Sequence, residues 1–126
     1  MEELLQTPYW IIDILPKQVP KDSPGQYFAI EKYFRKEQMA VIRQKHAHVI
    51  LKLNCYRDIE LDGEKNPEPV RIVQAISERE TYLIIGGSLI LSEPDDTYIT
   101  IYNPDEELLE LITALASAEG LFVWKP

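Results

Sequence analysis

Hydrophobic positions along this chain change period several times, and each change marks an element. Residues 9–15, Tyr-Trp-Ile-Ile-Asp-Ile-Leu, are rich in aromatic and β-branched side chains and read as a strand, stopped by Pro16. Pro16, Pro20, Pro24 and Gly25 then gather in a loop. From Gln26 the apolar residues fall at helical intervals. Tyr27, Ile30, Phe34 and Val41 lie near one stripe, widened by Met39 and Ile42. No proline or glycine interrupts residues 26–45, so the segment predicts one long helix, or two short ones broken near Lys36.

The period then drops to two. Val49, Leu51, Leu53 and Cys55 alternate with His48, Ile50, Lys52, Asn54 and Tyr56, the pattern of a half-buried strand, and Asp62-Gly63 offers a turn after it. Asn66-Pro67-Glu68 reads as the start of a short helix ending near Arg79. Residues 82–85, 88–91 and 98–102 make an antiparallel meander, with Gly86-Gly87 as a two-residue hairpin connection and 92–96 as the second turn. In the last section Leu108, Leu111, Ile112 and Leu115 form a helical stripe, Gly120 sits where a helix ends in positive φ, and 121–124 is a final strand. The predicted order is β-α-β-α-β-β-β-α-β. With about three helices and a meander in the middle, this favours a single α+β domain on a mixed sheet. The closing strand, helix and strand would form a right-handed crossover if both strands share one sheet.

Five carboxylates flank the third meander strand in the run PDDTYITIYNPDEE, residues 94–107. An extended stretch from Asp96 to Asp105 covers about 30 Å, so the acids before and after the strand cannot share one metal. Each group has a local role instead. Asp95 and Asp96 belong to a turn, and Asn103 reads as a helix cap with Pro104 in the first helical position. Glu106 can bond back to the cap, while Asp105, Glu106 and Glu107 favour the positive end of the helix dipole.

Composition bounds the function more than it names it. A chain of 126 residues with 45% hydrophobic and 10% aromatic content can build one real core. No apolar run approaches the length of a membrane span, and the acidic start, Met1-Glu2-Glu3, does not resemble a signal peptide. Cys55 is the single cysteine, which excludes an intrachain disulfide and points to the cytoplasm. The formal net charge of −8 repels nucleic acid. The densest basic stretch, with Lys32, Arg35, Lys36, Arg43 and Lys45, is diluted by Glu31 and Glu37 and reads as a solvated helix face. An acidic, aromatic-rich chain suits a protein partner or self-association.

The common catalytic, nucleotide and metal motifs are absent, so no cofactor and no catalytic set is assigned. His46 and His48 are the only histidines, and on a strand they would share a face. His48, Lys52, Asn54 and Tyr56 would continue that face as a polar row able to read a ligand, or simply face solvent. Cys55 falls on the opposite face, in line with Val49, Leu51 and Leu53, and reads as a packing residue rather than a nucleophile. Asp13 interrupts an apolar strand, where burial could raise its pKa. Tyr98, Thr100 and Tyr102 make a row that could serve as an interface or pack internally. The leading expectation is a non-catalytic protein-interaction or regulatory module. The alternative is a small ligand-binding protein or enzyme with a polar site around Asp13, His46, His48 and Lys52.

Overall fold

A computed structural model of the chain describes residues 1–17 and 19–126. After a short 3-10 turn at Leu4–Gln6 come β1 (Tyr9–Asp13), α1 (Tyr27–Glu37) and α2 (Met39–Asn54). The small strands β2 (Glu60–Leu61) and β3 (Glu64–Lys65) follow, then α3 (Pro69–Glu78). The meander is β4 (Thr81–Ile85), β5 (Ser88–Ser92) and β6 (Tyr98–Tyr102), and α4 (Glu106–Ala118) and β7 (Phe122–Trp124) close the chain. The proline-rich segment expected as a loop lies between β1 and α1; its Gln18 falls outside the described residues.

The strands form one sheet in the order β3-β2-β4-β5-β6-β1-β7. The α+β class and the single domain stand. Every neighbouring pair is antiparallel, however, where the sequence suggested a mixed sheet. The closing strand–helix–strand unit does share one sheet, but β1 inserts between β6 and β7 and pairs with both.

The strand expected over 48–56 is helix instead. Residues Ile42, His46, Val49, Ile50 and Leu53 are all buried, at helical intervals continuous with the segment before them. Val49 and Leu53, four residues apart, fall on that stripe while Leu51 lies off it and is half-buried, and no breaker separates the segment from the helical run upstream. Only Gln38, between α1 and α2, interrupts the helix. Cys55 caps α2 and is exposed, which corrects its expected burial. The remaining turns follow local chemistry. Asp62 (φ 52°) and Gly63 (φ 81°) close the β2–β3 hairpin, and Gly86 (φ 58°) opens the one between β4 and β5. Gly120 (φ 78°) ends α4, with the Leu121 amide bonded back to the Ala116 carbonyl and Leu121 itself buried.

The α4 cap is shifted by two residues from its expected place. Asp105 is the cap, its Oδ1 accepting from the Leu108 amide at 2.7 Å. Asn103 holds a left-handed backbone (φ 56°), and its side-chain amide donates to the Gly87 carbonyl at 3.0 Å, tying the β4–β5 hairpin to the end of β6.

The core lies between α2, α3 and α4 and one face of the sheet. Ile12, Leu83, Ile90, Ile99 and Ile101 meet Ile50, Leu53, Ile72, Ile76, Leu108 and Ile112 there, nearly all at zero exposure. Each such side chain contributes about 1.5–3 kcal/mol by leaving water. Arg43 of α2 is buried in the same layer. Its guanidinium donates to the Ile76 carbonyl in the last turn of α3, to the Asp96 carbonyl at 2.9 Å and to the Ser92 hydroxyl. Helix α1 has no buried residue and stays at the margin.

Candidate functional site

The residue alternation that fills the core leaves a second sheet face behind. On β1, Trp10 and Ile12 turn toward the helices, so Tyr9, Ile11 and Asp13 take the other side. Register continues that side across the sheet: Tyr9 lies opposite Tyr102, Ile11 opposite Thr100, and Asp13 opposite Tyr98. Leu89 and Leu91 of β5 extend it, paired with Tyr102 and Thr100. The row Tyr98, Thr100, Tyr102 therefore shares one face as its alternation indicated, and that face is turned away from α2, α3 and α4. The Tyr9 and Tyr102 rings lie tilted against each other at a centroid distance of 5.3 Å.

Two adjoining clefts mark this face, and Tyr9, Ile11 and Tyr98 line both. The larger, of about 270 Å³, runs between Leu91, Tyr98 and Tyr102, touched by Leu5 of the N-terminal turn, and reaches Glu93 and Asp96 at its end. Glu93 is hydrogen-bonded to Glu80 and Asp96, and this crowding of carboxyls pushes its pKa up to about 7. Hydrogen bonds from Tyr82 and Glu93 hold the Glu80 carboxyl below its usual range. Acids thus collect along one end of an otherwise aromatic surface.

The second cleft, of about 170 Å³, has Asp13 in its wall, with Tyr27 and Glu31 of α1, Tyr98 and Trp124 around it. Asp13 is 4% exposed. Its Oδ1 accepts from the Leu15 amide at 3.1 Å, and the Thr97 side chain and the Ile14 amide also bond the carboxyl. Burial nevertheless outweighs these bonds and raises its pKa, and the Glu31 charge adds to the rise. Among the described residues, no lysine or arginine forms an ion pair with Asp13. The Trp124 indole nitrogen is buried without an acceptor.

The other candidates do not join Asp13. His46 and His48 sit on a helix, about 200° apart around its axis, so they share no face. His46 is fully buried, and its Nε2 donates to the Thr97 carbonyl at 3.1 Å, which leaves Nδ1 bare and without a partner. Burial, with Arg43 nearby, lowers its pKa to about 3, so it is neutral in the fold. His48 and Lys52, one turn apart, both reach the Glu119 carboxylate, at 3.1 and 2.6 Å. Lys45 donates to the Glu119 carbonyl at 2.8 Å, so these three residues fasten the end of α4 to α2. Asn54 bonds the Arg57 carbonyl and the Asn66 side chain, steadying the chain beyond α2, and Tyr56 is exposed. The proposed polar row over His48, Lys52, Asn54 and Tyr56 therefore has no existence as a row. Its premise was a strand, and the segment is helical. No group of three or more His, Cys, Asp or Glu side chains is arranged to hold a metal among the described residues.

Sequence reasoning missed Tyr27, Glu31 and Trp124 as neighbours of Asp13. Nothing local marks them, since they come from α1 and β7, distant along the chain. Glu80 and Glu93 were equally hidden, because only the β4–β5 pairing, Thr81 opposite Ser92, brings them together. No helix is long and apolar enough to cross a membrane among the described residues. Comparison with protein-family models, curated proteins and solved structures finds no match to this chain.

Proposed function

We propose that this chain is a non-catalytic protein-interaction or regulatory module that receives its partner on the second face of the sheet. The observation that carries the reading is the one-sided helix layer: α2, α3 and α4 cover one face, while the other presents Tyr9, Tyr98, Tyr102 and Leu91 around two joined clefts. Tyrosine suits such a surface because its ring buries area while its hydroxyl stays hydrated. The acids at the end of the face, with the overall charge of −8, favour a basic partner over an acidic one and disfavour nucleic acid. A lone cysteine is in keeping with a cytoplasmic setting. The residues named for the alternative, a small ligand-binding protein or enzyme, do not converge in one site: Asp13 and His46 lie on opposite sides of the sheet, and His48 and Lys52 bond Glu119.

The test is co-purification with tagged full chain, in wild type and in a Tyr98→Ala/Tyr102→Ala variant that retains its circular dichroism and melting transition. A stoichiometric partner that is lost in the variant supports the reading. A partner held equally by both, or a monomer with no partner, overturns it.

A further inference from the structure

We propose that the cleft beside Asp13 is a socket for a lysine side chain of the protein partner, whose ammonium pairs with the Asp13 carboxylate between the rings of Tyr27, Tyr98 and Trp124. The inference rests on the docking role proposed for this face and names the chemistry recognised there.

Among the described residues, Asp13 is a buried carboxylate without an ion-pair partner, and the other charged side chain lining its cleft is Glu31, whose carboxylate already pairs with Arg35 at 3.8 Å. A carboxylate removed from water is costly unless it is paired, and the hydrogen bonds from Leu15, Ile14 and Thr97 leave it still penalised. A cation entering the cleft removes that penalty. The walls favour the same charge, because the faces of Tyr and Trp rings attract cations, and four such rings, Tyr9, Tyr27, Tyr98 and Trp124, line the space.

Size and hydrogen bonding narrow the ligand. A volume of about 170 Å³ lies below the roughly 300–1,000 Å³ typical of pockets for drug-sized molecules, and so suits a single side chain. The Leu15 and Ile14 amides and the Thr97 side chain already donate to the carboxyl, so of its about four acceptor positions one remains, room for one further donor rather than two in parallel. A guanidinium recognises carboxylate best as a two-toothed fork, whereas an ammonium is a point charge that one oxygen satisfies. The adjoining cleft between Leu91, Tyr98 and Tyr102 then takes an apolar side chain. In an extended segment, side chains on the same side recur about every 7 Å, so the motif is a lysine with an apolar residue two positions away.

The experiment titrates isotopically labelled full chain with n-butylammonium, and with n-butanol as the neutral control, following the Trp124 indole N–H resonance. Its assignment comes from Trp124→Phe. We expect a saturable shift with butylammonium, at least about tenfold weaker for butanol and at least about tenfold weaker in Asp13→Asn. Tyr27→Leu, on the peripheral helix, serves as a second variant and should weaken the ammonium several-fold while leaving butanol unchanged. No saturable shift, or equal affinities in both variants and wild type, overturns the socket. A second arm uses extended peptides with lysine two residues from leucine, and the same peptides with norleucine for lysine. Preference for lysine that vanishes in Asp13→Asn supports the proposal. Peptides bound equally in both forms would leave the docking face standing and remove the socket. Butylammonium bound without any peptide would overturn the assignment to a partner's lysine, in favour of a free amine.

Discussion

Asp13 and Tyr98 lie directly opposite one another across the β1–β6 pair, on the sheet face turned away from the core helices. One carries a buried carboxyl and the other an aromatic ring beside it. Their juxtaposition turns the end of an ordinary sheet into a cleft with a definite charge preference.

That burial has a measurable consequence for stability. A carboxyl whose folded pKa is raised above its model value of 3.8 favours the fold when protonated, and it withdraws that favour as pH rises through the folded value. Asp13→Asn keeps an acceptor for the Leu15 amide and cannot ionise. The unfolding free energy of the variant relative to wild type should therefore climb as pH rises from near 4 and then level off. Urea unfolding over a pH series checks this, and a difference that shrinks with pH would contradict it.

His46 behaves in the opposite sense. Its folded pKa, lowered to about 3, lies below the ordinary value of 6.5. The unfolded chain therefore gains a proton that the folded chain refuses, and stability falls as pH drops from 6.5 toward 3. The slope from this group is about 1.4 kcal/mol per pH unit within that window. Proton NMR of the imidazole ring gives the direct check: His46 should hold its neutral shifts at pH 5 while the protein remains folded. A titration midpoint near 6 would show the ring to be less enclosed than its environment requires.

Arg43 should matter far more than the exposed Lys52–Glu119 ion pair. Arg43→Met removes donors from the Ile76 carbonyl, the Asp96 carbonyl and the Ser92 hydroxyl, all in or at the edge of the core. Buried acceptors left bare cost about 1–3 kcal/mol each, so a loss of about 3 kcal/mol is expected in chemical denaturation. Lys52→Ala breaks a 2.6 Å pair with Glu119, but its side chain is 49% exposed and the loss should stay below about 1 kcal/mol. Comparable losses from the two substitutions would refute this ranking.

The helix cap offers a sharp local comparison. Asp105→Ala should cost about 1 kcal/mol, because its carboxylate accepts from the Leu108 amide. Asn103→Gly should cost less, since glycine accepts the φ of 56° without strain and only the bond to Gly87 is lost. Thermal melts of the two variants decide which residue is the cap, and a larger loss for Asn103→Gly would restore the reading that sequence alone suggested.

Legibility in the sequence followed the range of the interactions. The β4–β5–β6 meander, α3 and α4 with its glycine ending could be read because their signals are local: alternation, turn glycines, a proline start and a helical stripe. Segment 48–56 failed for an equally specific reason. Val49, Leu51 and Leu53 satisfy a period of two, while Ile42, His46, Val49, Ile50 and Leu53 satisfy a helical one. The preference between them lies in what the segment packs against. As a helix it sets Ile50 and Leu53 against the sheet and Arg43 against α3, and that burial settles the matter.

The sequence by itself determined that this chain folds as a single α+β domain with an antiparallel meander, since turn chemistry and periodicity act within a few residues. It also determined that Tyr98, Thr100 and Tyr102 share a face, because alternation along a strand admits no other arrangement. Tertiary structure alone decided which face the core helices cover. By covering one, they left Asp13 with Tyr27, Glu31 and Trp124 on the other, and the packing that made 48–54 helical put His46 and His48 on different sides of α2. Those are long-range packing choices, fixed by the total apolar area buried across several elements and visible in no single stretch of the chain.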